Sequence, residues 1–209
     1  MKKLIALVLV LALALGVSMA AAEKAVPDIE GVDLETGAPF HASIGEFNPT
    51  DKTLELRVYA YDKFDEDDVK KLTAGDVILA GGDLYVITDE KEIDGNRVFV
   101  CSDGNEIYFE KLNGSNDDLI ARTITDDRIF MNEVSVLHLP IADNAVYEDD
   151  SDPNLETAAK IYTGVDEILK VIEEANGGQP YGMFPSAVTV TINERMEIVK
   201  IHQAYDVGQ

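Results

Sequence analysis

The sequence predicts an α+β fold: mostly antiparallel β-sheet in a small-barrel-like meander, with one main amphipathic helix and a C-terminal β-hairpin. Three observations carry this. Between Asp76 and Leu112, apolar runs alternate with Gly81-Gly82, Asp94-Gly95 and Asp103-Gly104, pairs that reach positive φ at little cost and mark hairpin turns. Between Thr53 and Tyr61, Leu54, Leu56, Val58 and Ala60 alternate with Glu55, Arg57, Tyr59 and Tyr61, the period of a half-buried strand. Near the C-terminus, Val165, Ile168, Leu169 and Ile172 recur at helical spacing and share one face.

The chain opens with Lys2 and Lys3, then an apolar run from Leu4 to Val17, then Ser18-Met19-Ala20 and Ala20-Ala21-Ala22. A basic start, a short apolar stretch and small residues at a cleavage position make a secretory signal peptide over residues 1–22, cut after Ala20 or Ala22. No cysteine follows the apolar run to take a lipid, so the expectation is a secreted chain with no membrane insertion after signal cleavage.

The whole chain carries 17 basic and 40 acidic residues, a net charge of −23. The first 22 residues hold two of the lysines and no acid, which leaves 15 basic against 40 acidic residues, a net of −25, on the remainder. A field of that sign opposes nucleic acid and anionic lipid and favours cations, basic partners or plain solubility. Cys101 is the one cysteine, so no internal disulfide supports the fold. Inside a strand-like run it reads as a small buried hydrophobe.

Residues 23–35, polar and interrupted by Pro27, read as a flexible lead-in to a single β-rich domain over 36–209. A division of that domain into a meander core (36–142) and an acidic loop, helix and hairpin (143–209) is left open. Phe40–Phe47 and Thr53–Tyr61 form the first strand pair. Phe64–Leu72 reads as a short helix capped by Asp65, with acids in its first turn and Lys70 and Lys71 in its last. The turn Leu72–Ile78 then leads into the meander, through Leu84–Asp89, Arg97–Ser102 and Asn105–Lys111. A polar loop (113–118) precedes strands near Ile120–Thr125 and Phe130–Leu139, and Pro140 is expected to end the second. Asp143–Asn154 reads as an acidic loop, and Leu155–Tyr162 as either helix or extended chain. Thr163-Gly164-Val165-Asp166 has the capping-box spacing and opens the main helix, which Asn176-Gly177-Gly178 stops. After a Gly/Pro linker (179–185), Val188–Ile192 and Glu197–Ala204 form the closing hairpin.

No motif names a chemistry. There is no G-x-S-x-G, S-x-x-K or H-E-x-x-H and no Gly-rich loop of phosphate-binding spacing; these arrangements would otherwise set up a nucleophile, a metal or a phosphate cradle. His41, His138 and His202 lie in separate strands without a histidine neighbour at ligand spacing, which favours strand packing over zinc. The DEDD run at 65–68 reads as helix-end electrostatics, because consecutive acids on a helix point in different directions. The loop Glu148–Glu156 offers alternate oxygens to a hard cation such as calcium. It is not an EF-hand, since Pro153 stands where that loop needs glycine; the competing reading is a turn or helix capped by Asp152.

Two apolar or aromatic features suggest contacts with other molecules. Tyr59 and Tyr61 sit on the polar face of their strand and Tyr108 sits between Glu106 and Glu110. If those faces coincide, they form an aromatic, acidic patch suited to a cationic or sugar-like ligand; the bland alternative is cross-strand packing. Tyr181, Met183 and Phe184 form a cluster in the Gly/Pro linker, as a docking loop or as side chains tucked on the core. The sequence therefore points to an exported, acidic, non-enzymatic binding or interaction protein with an unknown extracellular partner or ligand and no cofactor. A secreted hydrolase built from acids that meet only in three dimensions, or a calcium-dependent surface module, are the alternatives. No catalytic residue is assigned, and metal ligation is left undetermined.

Overall fold

The computed structural model describes residues 24–25, 34–112, 118–152, 154, 158–176 and 187–205. The segment read as a signal peptide, most of the lead-in, the loop 113–117, parts of the acidic loop and the linker with Tyr181, Met183 and Phe184 lie outside the described residues.

The strands divide into two sheets. The first holds β1 (Lys24–Ala25), β4 (Lys63–Asp65), β5 (Val77–Ala80), β6 (Asp83–Ile93), β7 (Asn96–Cys101), β8 (Glu106–Lys111) and β9 (Asp118–Thr123), in the order β1-β5-β6-β7-β8-β9-β4. Here β5 to β9 are the expected meander, each strand antiparallel to the last. Its tight turns are made as the sequence implies: Asp94 and Gly95 both have positive φ, 51° and 81°, the type I′ geometry that matches strand twist. Lys24 and Ala25, from the segment read as a lead-in, pair in parallel with Val77 and Ile78 at the edge.

The second sheet holds β2 (Pro39–Asn48), β3 (Thr53–Tyr61), β10 (Met131–Asp150), β11 (Lys160–Thr163), β12 (Val188–Ile192) and β13 (Ile198–Ala204). Its pairings return on themselves: β10 to β13, β13 to β12, β12 to β2, β2 to β3, and β3 back to β10. An odd ring cannot be antiparallel throughout, and the parallel contact falls between β10 and β13. In space β12, β2, β3 and β10 stand side by side, so the fourth of these in chain order lies beside the first, the arrangement of a Greek key. β13 closes the gap between β10 and β12. The second sheet thus closes on itself, and β4 to β9 of the first sheet are inserted between β3 and β10.

Pro140 does not end its strand; β10 runs on to Asp150. Up to Pro140 the strand pairs with β3, and from Ile141 onward it pairs with β13. The residue without an N–H donor therefore stands where one ladder gives way to the next, a place where a strand tolerates proline. The acidic stretch 143–150, expected as loop, is strand for the same reason: β13 and β11 flank it on both edges.

Two helices are described. α1 (Glu66–Lys71) is capped by Asp65, whose carboxylate accepts from the N–H groups of Asp67 and Asp68. α2 (Val165–Asn176) starts one residue later than the Thr163 box implies. Gly164, at φ +89°, supplies the carbonyl that takes the first helical bond from Ile168. Glu167 rather than Asp166 reaches back to the Thr163 N–H, at 3.2 Å. Ile168 and Ile172 are buried, and Val165 and Leu169 pack beside them, against a core of Leu54, Leu56, Tyr147, Val190 and Ile198. A separate core, with Ile78, Ile87, Phe99 and Ile107, holds the inserted sheet.

Candidate functional site

The most distinctive surface lies where the outer face of β2, β3 and β10 meets the inserted sheet. Period-two alternation puts Leu54, Leu56 and Val58 in the core and leaves Glu55, Arg57, Tyr59 and Tyr61 outward and half-buried. Tyr59 stands opposite His41 on β2 and opposite Glu133 on β10. Tyr61 and His41 are hydrogen bonded, Oη to Nε2, at 2.6 Å, with their rings edge to face. Burial raises the Tyr61 pKa, against an opposing effect of the Arg122 charge, so the phenol keeps its proton. Arg57 pairs with Glu133 at 3.4 Å.

The inserted sheet joins this face through main-chain bonds. The Asp62 N–H donates to the Phe130 carbonyl, and the Phe130 N–H donates to that of Ala121. This sets β9 beside the end of β3. Arg122, next to Ala121, stands opposite Tyr108 on β8 and contacts Asp127 at 3.0 Å and Glu110 at 3.1 Å. The Tyr108 hydroxyl donates to Asp127 at 2.9 Å. Tyr59 and Tyr61 share the outward face of β3, while Tyr108 lies on the inserted sheet opposite Arg122, whose charge also bears on Tyr61; among the described residues no contact joins Tyr108 to Tyr59 or Tyr61. His41 and Arg122 were not expected to take part. The His41 link depends on which strand lies beside β3, and no local pattern reports that.

Beneath the junction is Asp62, with 0% of its surface exposed. Its carboxylate accepts from the Gly81 N–H at 2.6 Å and from the Asn132 amide. Burial raises its pKa, and these two donors hold the rise in check. Gly81 has φ +59°, and a Cβ there would come within 3.2 Å of the Phe130 ring, so glycine is needed for both conformation and space.

The other sequence candidates are dispersed. His138 stands opposite Glu55, and His202 lies between Glu148 and Thr189. In the acidic stretch, Glu148 pairs with Lys200, Asp149 accepts from the Ser151 N–H and hydroxyl, and Asp152 accepts from the Asn154 N–H. These carboxylates are engaged in local turns and an ion pair. Among the described residues, no three histidine, cysteine or acidic side chains come together where they could hold a metal ion. Cys101 is buried, and burial, aided by the charge of Asp103, pushes its thiol up to about 11. A groove of about 400 Å³ runs along Glu90, Lys91, Glu92, Gly95 and Arg97, but Arg97 and Lys91 are committed there to Glu90 and Glu106. No helix among the described residues is long and apolar enough to cross a membrane. Comparison with known proteins returns no match, whether to a protein-family model, a curated sequence or a solved structure.

Proposed function

We propose that this chain is an exported, acidic, non-enzymatic binding protein, and that the outer face of β2, β3 and β10 at the junction is its binding surface. One observation carries the reading. On the outward face of β3, Tyr59 stands beside His41 and Tyr61 is hydrogen bonded to it, with the charge of Arg122 from the inserted sheet bearing on Tyr61. Rigid strands hold these rings, so little side-chain freedom is lost when a ligand settles on them. Export rests on the leader-like residues 1–22, and the acidity keeps polyanions away.

The test is thermal unfolding of the purified protein against a panel of polyamines, basic peptides and neutral and charged oligosaccharides. A ligand of the native state raises the melting temperature by mass action. The expected result is a shift with at least one class, abolished by Tyr59→Ala and accompanied by no chemical change in the ligand. Turnover of the ligand, or a shift that Tyr59→Ala leaves intact, overturns the reading.

A further inference from the structure

The inserted sheet carries the chain's two Asp-Gly steps, Asp94-Gly95 and Asp103-Gly104, and the fold treats them oppositely. At such a step the next backbone nitrogen can reach the aspartate side-chain carboxyl, because glycine has no Cβ to stand in the way. At the second step both reacting groups are tied. The Asp103 carboxylate accepts from the Asn105 N–H at 3.0 Å and from the Asn105 side-chain amide at 2.7 Å, a local turn bond of the kind aspartate favours. The Gly104 N–H donates to the Cys101 carbonyl at 3.0 Å. At the first step neither group is tied. Asp94 and Gly95 are the two central residues of the β6–β7 turn, between the paired Ile93 and Asn96, and both are exposed. Among the described residues nothing bonds the Asp94 carboxylate or the Gly95 N–H. Open space does not separate the two steps, since neither glycine has an atom within 4 Å of where a Cβ would stand.

We infer that Asp94 is a site of spontaneous covalent modification, isomerising to isoaspartate in the folded protein while Asp103 is protected. The Gly95 nitrogen attacks the Asp94 side-chain carboxyl carbon. The new C–N bond closes a cyclic imide, and the nitrogen's proton leaves with the carboxyl hydroxyl as one water. A water then adds back and breaks one of the two imide C–N bonds. Breaking the side-chain bond restores aspartate; breaking the main-chain bond leaves the chain running through the side-chain carboxyl. The product lengthens the turn by a CH2, which the two-residue type I′ geometry does not accommodate. The change falls where Glu92, Gly95 and Arg97 wall the groove, away from the outer face of β2, β3 and β10.

The purified protein is held at mildly acidic pH, where the carboxyl can lose its hydroxyl, and is mapped over time by proteolysis, chromatography and mass spectrometry. A parallel sample is held unfolded in guanidinium. Expected in the folded sample is a second form of the peptide spanning 94–95, of unchanged mass, shifted retention and resistance to a protease that cuts before aspartate. A form lighter by one water should precede it. Conversion at 103–104 should be slower by about tenfold or more, since two hydrogen bonds of ordinary net strength must first break. In guanidinium the two steps should convert at similar rates. Asp94→Glu should abolish the product, and Asn105→Ala should raise conversion at Asp103. If Asn105→Ala does not fold by circular dichroism, the folded and unfolded rates of the two wild-type steps carry the test. The Asn113-Gly114 and Asn176-Gly177 steps change mass when they convert and are read apart. Asp94 that converts in guanidinium but not in the folded protein overturns the inference. Equal conversion of both steps in the folded protein, or an inert Asp103 in folded Asn105→Ala, overturns the protection assigned to Asp103.

Discussion

Asp62 joins two sheets through two donors, and its chemistry sets a pH dependence. A fully buried carboxyl pays for desolvation in its charged form, and the Gly81 N–H and Asn132 amide recover only part of that. Its folded pKa is raised above the ordinary carboxylate value, so the folded state favours the protonated group. Any stability from that preference is present in full below the unfolded pKa and is lost as the pH rises through the folded value. Asp62→Asn removes the titration. Expected is that wild-type stability, measured by urea unfolding relative to Asp62→Asn, falls as the pH climbs above about 4 and then levels off; a flat or rising difference refutes the assignment. Asp62→Ala should cost about 2–3 kcal/mol at neutral pH, because a buried N–H and a buried amide lose their acceptor. Nothing local in the sequence marks Asp62. It ends an alternating strand in a chain with 40 acidic residues, and its role comes from partners 19 and 70 positions away.

At the scale of the element, α1 shows how a segment too short to persist by itself is held. Six residues make little more than one turn, below the length at which an isolated helix survives. Its N-terminus is closed by Asp65, as the sequence implies. Its C-terminus is closed by Arg97, which donates to the carbonyls of Val69 at 3.3 Å, Lys70 at 3.2 Å and Leu72 at 2.5 Å. The same guanidinium binds Glu90 and lies 4.7 Å over the Phe99 ring. Arg97→Ala should lower stability by about 1–3 kcal/mol, through unpaired carbonyls and lost cover on Phe99. Arg97→Lys should recover little, since an ammonium cannot reach three carbonyls and a carboxylate from one planar fork. Equal melting temperatures for the lysine variant and the wild type would show that charge alone suffices. The contrast with β10 explains what the sequence makes legible. The cap of α1, the alternation of β3 and the apolar face of α2 are local patterns with short periods, and the structure bears them out. Pro140 misleads because a missing donor reads locally as a stop, whereas here the strand exchanges partners at that residue. The pair Lys24–Ala25 is too short to show any period.

Over the whole molecule, the two cores meet at few points. The buried residues around Leu56, Ile168 and Val190 form one cluster, and those around Ile87, Phe99 and Ile107 another, with no member in common. The chain passes from the curled sheet to the inserted one after Tyr61 and returns at Phe130, and Asp62 binds across both crossings. That closure could not be read from residue patterns, because β2 and β3 find their neighbours in β12 and β10 across the insertion. It also makes an energetic statement. If the inserted sheet opens while the ring stays closed, the barrel has to hold the ends of a loop of roughly 70 residues, a closure cost on the order of 4 kcal/mol. Packing inside the ring, where α2 and six strands share one core, can meet that. Native-state hydrogen exchange should therefore separate two groups of protected amides. β7, β8 and β9 should open together by one sub-global step, and β2, β3, β12 and β13 by another of different free energy. Asp62→Ala should widen the gap, because it removes the bond between the units without emptying either core. A single opening free energy for both groups, kept in Asp62→Ala, would mean that the short junction couples them fully. The junction around Asp62 would then be as rigid as either core, rather than a seam between two units that open separately.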